Sequence, residues 1–63
     1  MRVGELLRRL EQDGWVVVRQ RGSHRVYRHP TKRGQLVVPV HAGKELATGT
    51  LHSLLKRAGL DHD

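Results

Sequence analysis

The residues best suited to chemistry are Gly22-Ser23-His24 and the cations around them. Histidine ordinarily titrates near neutrality, so it can accept and return a proton at physiological pH. A histidine just after a glycine turn sits at a strand end, where a substrate can reach it. Arg19, Arg21, Arg25, Arg28, Lys32 and Arg33 lie within 15 residues of one another. Five of these six are arginines, whose planar forks match phosphate oxygens two at a time. Together they suggest acid–base work by His24 on a phosphodiester, with arginines stabilising the charge that develops on it. The competing reading of His24 is an ordinary strand residue beside a turn. Ser23 carries a hydroxyl, but no carboxylate occurs in residues 14–44 to complete a Ser/His/acid set. A serine beside glycine is also common turn chemistry.

Other chemistries find little support. His29 follows His24 by five residues, so in a regular strand the two point to opposite faces and would not share a metal. His41, His52 and His62 are dispersed, read as solvated, and match no zinc spacing. There is no cysteine, which excludes disulfides, iron–sulfur clusters and thiolate zinc sites. No glycine-rich phosphate loop is present. Asp61 and Asp63 fall in a terminal tail, where fraying is expected. Neither metal nor cofactor is therefore expected. Trp15 and Tyr27 are the only aromatics, too few for a sheet that stacks several bases. Recognition of backbone and shape by Arg and Lys fits better.

The charge distribution supports a polyanionic ligand. Lys and Arg number 12 against 6 Asp and Glu, a net charge of +6. Residues 1–13 balance to zero, and residues 45–63 carry a slight negative excess. Residues 14–44 hold seven cations and no acid. An anionic membrane is a weaker candidate, because this block has β rather than amphipathic-helix periodicity. No apolar run approaches a membrane span, and no signal peptide is apparent at Met1–Glu5, so a cytoplasmic home is expected. With 63 residues, one domain over 1–63 is expected.

The positioning elements follow from periodicity. Val3, Leu6, Leu7 and Leu10 form one helical stripe, predicting a helix over 3–13 stopped by Gly14. Trp15–Gln20 and His24–His29 read as strands joined by Arg21-Gly22-Ser23, with Gly22 free to take positive φ. Pro30–Gly34 is a second turn and Gln35–Val40 a third strand, which Pro39 marks as an edge or a strand end. His41–Ala47 reads as a loop, and Thr48 or Thr50 as a cap for a helix over 49–58. That helix carries Leu51, Leu54, Leu55 and Ala58 on one stripe. Gly59 and Leu60 suit a Schellman stop. The expectation is an α+β fold, α-β-β-β-α, with a three-stranded antiparallel meander and both helices on one face.

These residues also carry a family pattern. Glu5-Leu6-Leu7, Asp13-Gly14-Trp15, Gly22-Ser23-His24, Tyr27 and His29-Pro30 occur in order. Val38-Pro39, His41, Gly49-Thr50-Leu51 and Ala58-Gly59-Leu60 continue it. The chain resembles the HicA toxins of toxin–antitoxin pairs over about residues 3–60. The resemblance implies a fold like that of double-stranded-RNA-binding domains. It implies a type II toxin, a metal-independent endoribonuclease that cuts mRNA and arrests growth, with His24 as the catalytic histidine. It implies a cognate HicB antitoxin that covers the active site; whether the free toxin is a monomer is left open by the sequence. On this reading Arg19, Arg21, Arg25, Arg28, Lys32 and Arg33, with Gly22 and Ser23 at the turn, bind the RNA.

Three other readings compete. A non-catalytic RNA-binding module of the same fold would bind RNA without cutting it. A DNA regulator reading through the second helix is poorly supported, since only Lys56 and Arg57 stand near that helix's C-terminal end. A structural subunit would dock its basic sheet on an acidic protein.

Overall fold

The computed structural model describes residues 2–40 and 45–60. The expected loop residues His41–Lys44 and the tail Asp61–Asp63, His62 included, lie outside the described residues. The order is α1 (Val3–Asp13), β1 (Val16–Arg21), β2 (His24–Arg28), β3 (Gln35–Pro39) and α2 (Thr48–Ala58). The strands form one antiparallel sheet in the order β1-β2-β3. This is the expected α-β-β-β-α architecture.

Helix α1 forms because its apolar stripe has a core to enter. Val3, Leu6 and Leu10 are buried, while Arg8, Arg9, Glu11 and Gln12 stay in water. At its start the Glu5 carboxylate accepts the Arg2 backbone N–H at 3.2 Å. At its end Gly14 takes φ 109°, and the Gly14 and Trp15 N–H groups return to the carbonyls of Glu11 and Leu10. Helix α2 ends the same way, with Gly59 at φ 75° and Leu60 N–H on the Leu55 carbonyl at 2.8 Å. Both are Schellman stops, in which glycine adopts the left-handed conformation at little cost.

Tyr27, Leu36 and Val38 of the sheet pack with Leu6, Leu10, Leu54, Leu55 and Ala58 of the helices in one buried cluster. Both helices therefore cover the same sheet face. They cover it unevenly, since every residue of β1 remains exposed. Trp15 departs from the expected strand. It is the residue after the α1 stop, and its ring fills the core rather than pairing in β1. His29 likewise falls outside β2. Pro39 ends β3, an edge strand, where its missing N–H breaks no interior ladder. The expected Thr cap on α2 is not formed. The helix starts one residue early, so Ala47 takes the cap position with no side-chain acceptor to offer.

The β2–β3 connection is tied to both helix ends. Nδ1 of His29 accepts the backbone N–H groups of Thr31 at 3.1 Å and Lys32 at 3.3 Å. Its other nitrogen, Nε2, therefore carries the proton and donates to the Asp13 carbonyl at 2.7 Å. The ring stands edge-on to Trp15, with centroids 5.2 Å apart. Lys32 Nζ donates to the Asp13 carboxylate at 2.6 Å and to the Ala58 carbonyl at 2.8 Å. One ammonium thus joins the C-terminal ends of α1 and α2, where a cation also complements both helix dipoles.

This clamp makes acid stability predictable. The hydrogen bond from Lys32 holds the Asp13 carboxyl below its ordinary value of 3.8, against desolvation and with help from the charge of Lys32. A carboxyl depressed in the folded state stabilises fully above its unfolded value, and that gain fades as pH falls through the folded one. The wild type is expected to melt higher than Asp13→Asn at neutral pH. The gap should narrow below pH 3.8. Melting curves between neutral and acid pH measure it, and a gap independent of pH would show that the carboxylate charge contributes nothing.

Candidate functional site

Directly opposed residues in a sheet point to the same face, and successive residues alternate. Tyr27 opposes Leu36, and Arg25 opposes Val38. These four face the helices. The alternate set faces away: His24 opposes Pro39, Val26 opposes Val37 and Arg28 opposes Gln35. Strand β1 contributes Arg21 opposite His24, Arg19 opposite Val26 and Val16 opposite Arg28. The open face thus holds three cross-strand rows, Arg21–His24–Pro39, Arg19–Val26–Val37 and Val16–Arg28–Gln35, and no acidic residue.

An irregularity in β1 makes this set possible. Val17 opposes Tyr27 while Arg19 opposes Val26, which leaves Val18 as an extra residue. In a regular strand Val17, Arg19 and Arg21 share a face. Val17 opposes a helix-facing residue, so strict alternation would turn both arginines towards the helices. The bulge at Val18 turns them to the open face beside His24.

The Gly22-Ser23 turn closes the hairpin with two residues, since Arg21 and His24 are paired. Gly22 has φ 54°, and no residue other than glycine has positive φ among the described residues. A positive first and a negative second φ match the type II′ hairpin turn, which suits the right-handed strand twist. The turn is braced on the covered side. The Gln20 side-chain amide donates to the Gly22 carbonyl at 3.2 Å, and Arg25 Nε donates to Gln20 Oε1 at 3.2 Å. Arg25 also approaches the hydroxyl of the buried Tyr27 at 3.5 Å. A line of polar contacts thus runs from the core to the turn that presents His24. The Ser23 carbonyl is held too, by the Val40 N–H at 2.6 Å.

The result is an exposed imidazole at a rigid hairpin corner, with Arg21 beside it and Arg19 one row away. Such a face can bind phosphates and exchange a proton with a bound group. A family model for the HicA toxin of bacterial toxin–antitoxin systems matches residues 3–60. The chain belongs to the HicA toxin family. No curated protein matches it. Membership makes this HicA-family chain a toxin of a toxin–antitoxin pair. No helix among the described residues is long and apolar enough to cross a membrane.

The cations singled out from the sequence divide into two groups in this HicA-family chain. Arg19, Arg21 and Arg28 share the open face with His24. Arg25 lies on the covered face, engaged with Gln20 and Tyr27. Lys32 is held by Asp13 and Ala58. Arg33 is exposed in the β2–β3 connection, at the opposite end of the sheet from the Gly22-Ser23 turn. The structure also shows what the sequence reading missed: Gln20 braces the turn, and Gln35, Val37 and Pro39 complete the open face. A period-2 reading of β3 placed opposite β2 finds these last three. Nothing local marks Gln20. Among the described residues no three His, Cys, Asp or Glu side chains cluster as a metal site would require.

Proposed function

We propose that the protein is a metal-independent endoribonuclease that cleaves mRNA, with His24 as its general acid or base. The observation that carries this reading is the exposed His24 beside Arg21 on an acid-free sheet face, in a chain of the HicA toxin family. Arg19 and Arg21 hold the phosphate next to His24 and offset the charge that builds on its oxygens. The neighbouring 2′-hydroxyl attacks phosphorus in line. The 2′-oxygen–phosphorus bond forms as the 5′-oxygen–phosphorus bond breaks, leaving a 2′,3′-cyclic phosphate and a 5′-hydroxyl. His24 takes the proton from the 2′-hydroxyl or supplies one to the departing 5′-oxygen. One imidazole fills one of these roles at a time, so water serves in the other. Arg28 and the exposed Arg33 extend the basic field for RNA, Arg25 braces the turn, the charge of Lys32 is matched by Asp13, and Gly22 and Ser23 let the backbone of the turn approach the RNA. The partner is a HicB-like antitoxin whose docking excludes RNA from the face, and the site of action is the cytoplasm, where mRNA is found.

The purified protein is expected to cut a defined mRNA in the presence of a chelator, with products ending in cyclic phosphate. Cleavage should slow as salt rises, because phosphate contacts release counterions. RNA that is bound in a salt-dependent way but stays intact would replace this reading with a non-catalytic RNA-binding module.

A further inference from the structure

The open face is polarised across its strands. On the β1 side of His24 stand Arg21, directly opposite, and Arg19, one row on. On the β3 side stand Pro39, directly opposite, and Val37, one row on. The outward residues of β3 are Gln35, Val37 and Pro39, none of them charged. Val37 is 44% exposed, and Val26 between the two flanks is 6% exposed. His24 therefore lies on the line where a cationic strip meets an apolar one. Diagonal neighbours across paired strands are about 7–8 Å apart, so both Arg19 and Val37 lie within a nucleotide's reach of the imidazole.

A single RNA strand has the same polarity. It carries phosphates along one edge and bases along the other. A duplex presents phosphates on both flanks and turns its bases inward, which would leave the apolar strip facing water or charge. The two aromatics that would otherwise stack a base, Trp15 and Tyr27, are both in the core. We propose that β3 is a nucleobase platform. The RNA backbone runs along Arg19 and Arg21, the base next to the scissile phosphate lies flat on Val37 and Pro39, and the Gln35 amide meets the edge of the following base. The substrate is single-stranded RNA. This assignment rests on the ribonuclease reading for the place of the scissile phosphate, but concerns residues that take no part in the proton transfers.

The test uses a His24→Ala background, so that RNA stays intact, and fluorescence anisotropy with three labelled probes. These are a single-stranded oligonucleotide, an abasic oligomer of equal length and charge, and a duplex. Val37→Ser is expected to weaken the single strand about fivefold, the loss of one apolar contact, and to leave the abasic oligomer unchanged. Val37→Leu should restore the single strand. Arg19→Gln should weaken single strand and abasic oligomer alike and lower the salt slope by about one. The duplex should bind more weakly than the single strand. Equal losses on ordinary and abasic strands, no loss at all, or tighter duplex binding each overturn the platform. So does a stable dimer in sedimentation that Val37→Ser abolishes, which would assign the strip to a second copy of this chain. Cleavage of mRNA by the wild type separates the two failures. If it cuts, only the platform is lost; if it neither cuts nor binds, the ribonuclease reading falls as well.

Discussion

His24→Ala is expected to reduce RNA cleavage by about 100-fold or more, the usual contribution of a positioned acid or base. The melting temperature should stay within about 1–2 °C of wild type, because exposed positions without partners change stability by only a few tenths of a kcal/mol. His24 is exposed at the first position of β2, and its backbone rather than its ring forms the ladder to Arg21 and Pro39. The variant should keep its affinity for RNA, since the guanidinium groups of Arg19, Arg21 and Arg28 remain. Loss of rate with binding and fold intact is the signature of a group acting on the reacting atoms. Labelled RNA on a denaturing gel gives the rate, anisotropy the affinity, and circular dichroism the melting curve. Undiminished cleavage would remove His24 from the mechanism.

Leu36→Ala is expected to unfold most of the protein at 37 °C. Leu36 is 1% exposed and sits in β3 opposite Tyr27, inside the cluster shared with both helices. Truncating a buried leucine costs about 2–5 kcal/mol through lost transfer energy and the cavity left behind. At the usual 0.05–0.15 kcal/mol per residue, a chain of this length has only about 3–9 kcal/mol in total. The loss is therefore of the same order as the whole stability. The adjacent Val37→Ser should cost far less, because Val37 points the other way into solvent. Thermal or urea unfolding of the two variants measures the contrast. A Leu36→Ala protein that melts like wild type would mean that the helices are not held by this face.

Much of this was legible along the chain. The stripe Val3, Leu6 and Leu10 specifies α1 because apolar side chains at that spacing share one helical face, and all three are buried. Gly14 and Gly59 stop their helices because glycine alone enters the left-handed region without a Cβ penalty, and both do so. Gly22 closes the hairpin for the same reason. Alternation in β3 places Leu36 and Val38 inside, and the acid-free block marks the sheet as basic. These are local properties, decided by residues within a few positions of one another.

Which cations stand beside His24 was decided only by the tertiary structure. Arg25 is next to His24 in sequence yet on the other face, while Arg19 and Arg21 reach the open face through a bulge at Val18. No single residue in Val16-Val17-Val18 announces that bulge, because it depends on how β1 registers against β2. Lys32 looks like any other cation of the basic block until Asp13 and the Ala58 carbonyl, 19 and 26 residues away, fold against it. Thr48 and Thr50 look like helix caps, but where α2 begins is governed by how Leu54, Leu55 and Ala58 seat on the sheet, and that leaves Ala47 at the cap. Local sequence encodes propensity and periodicity. Partners distant in the chain, and the register between strands, arise only when the apolar faces close on one another.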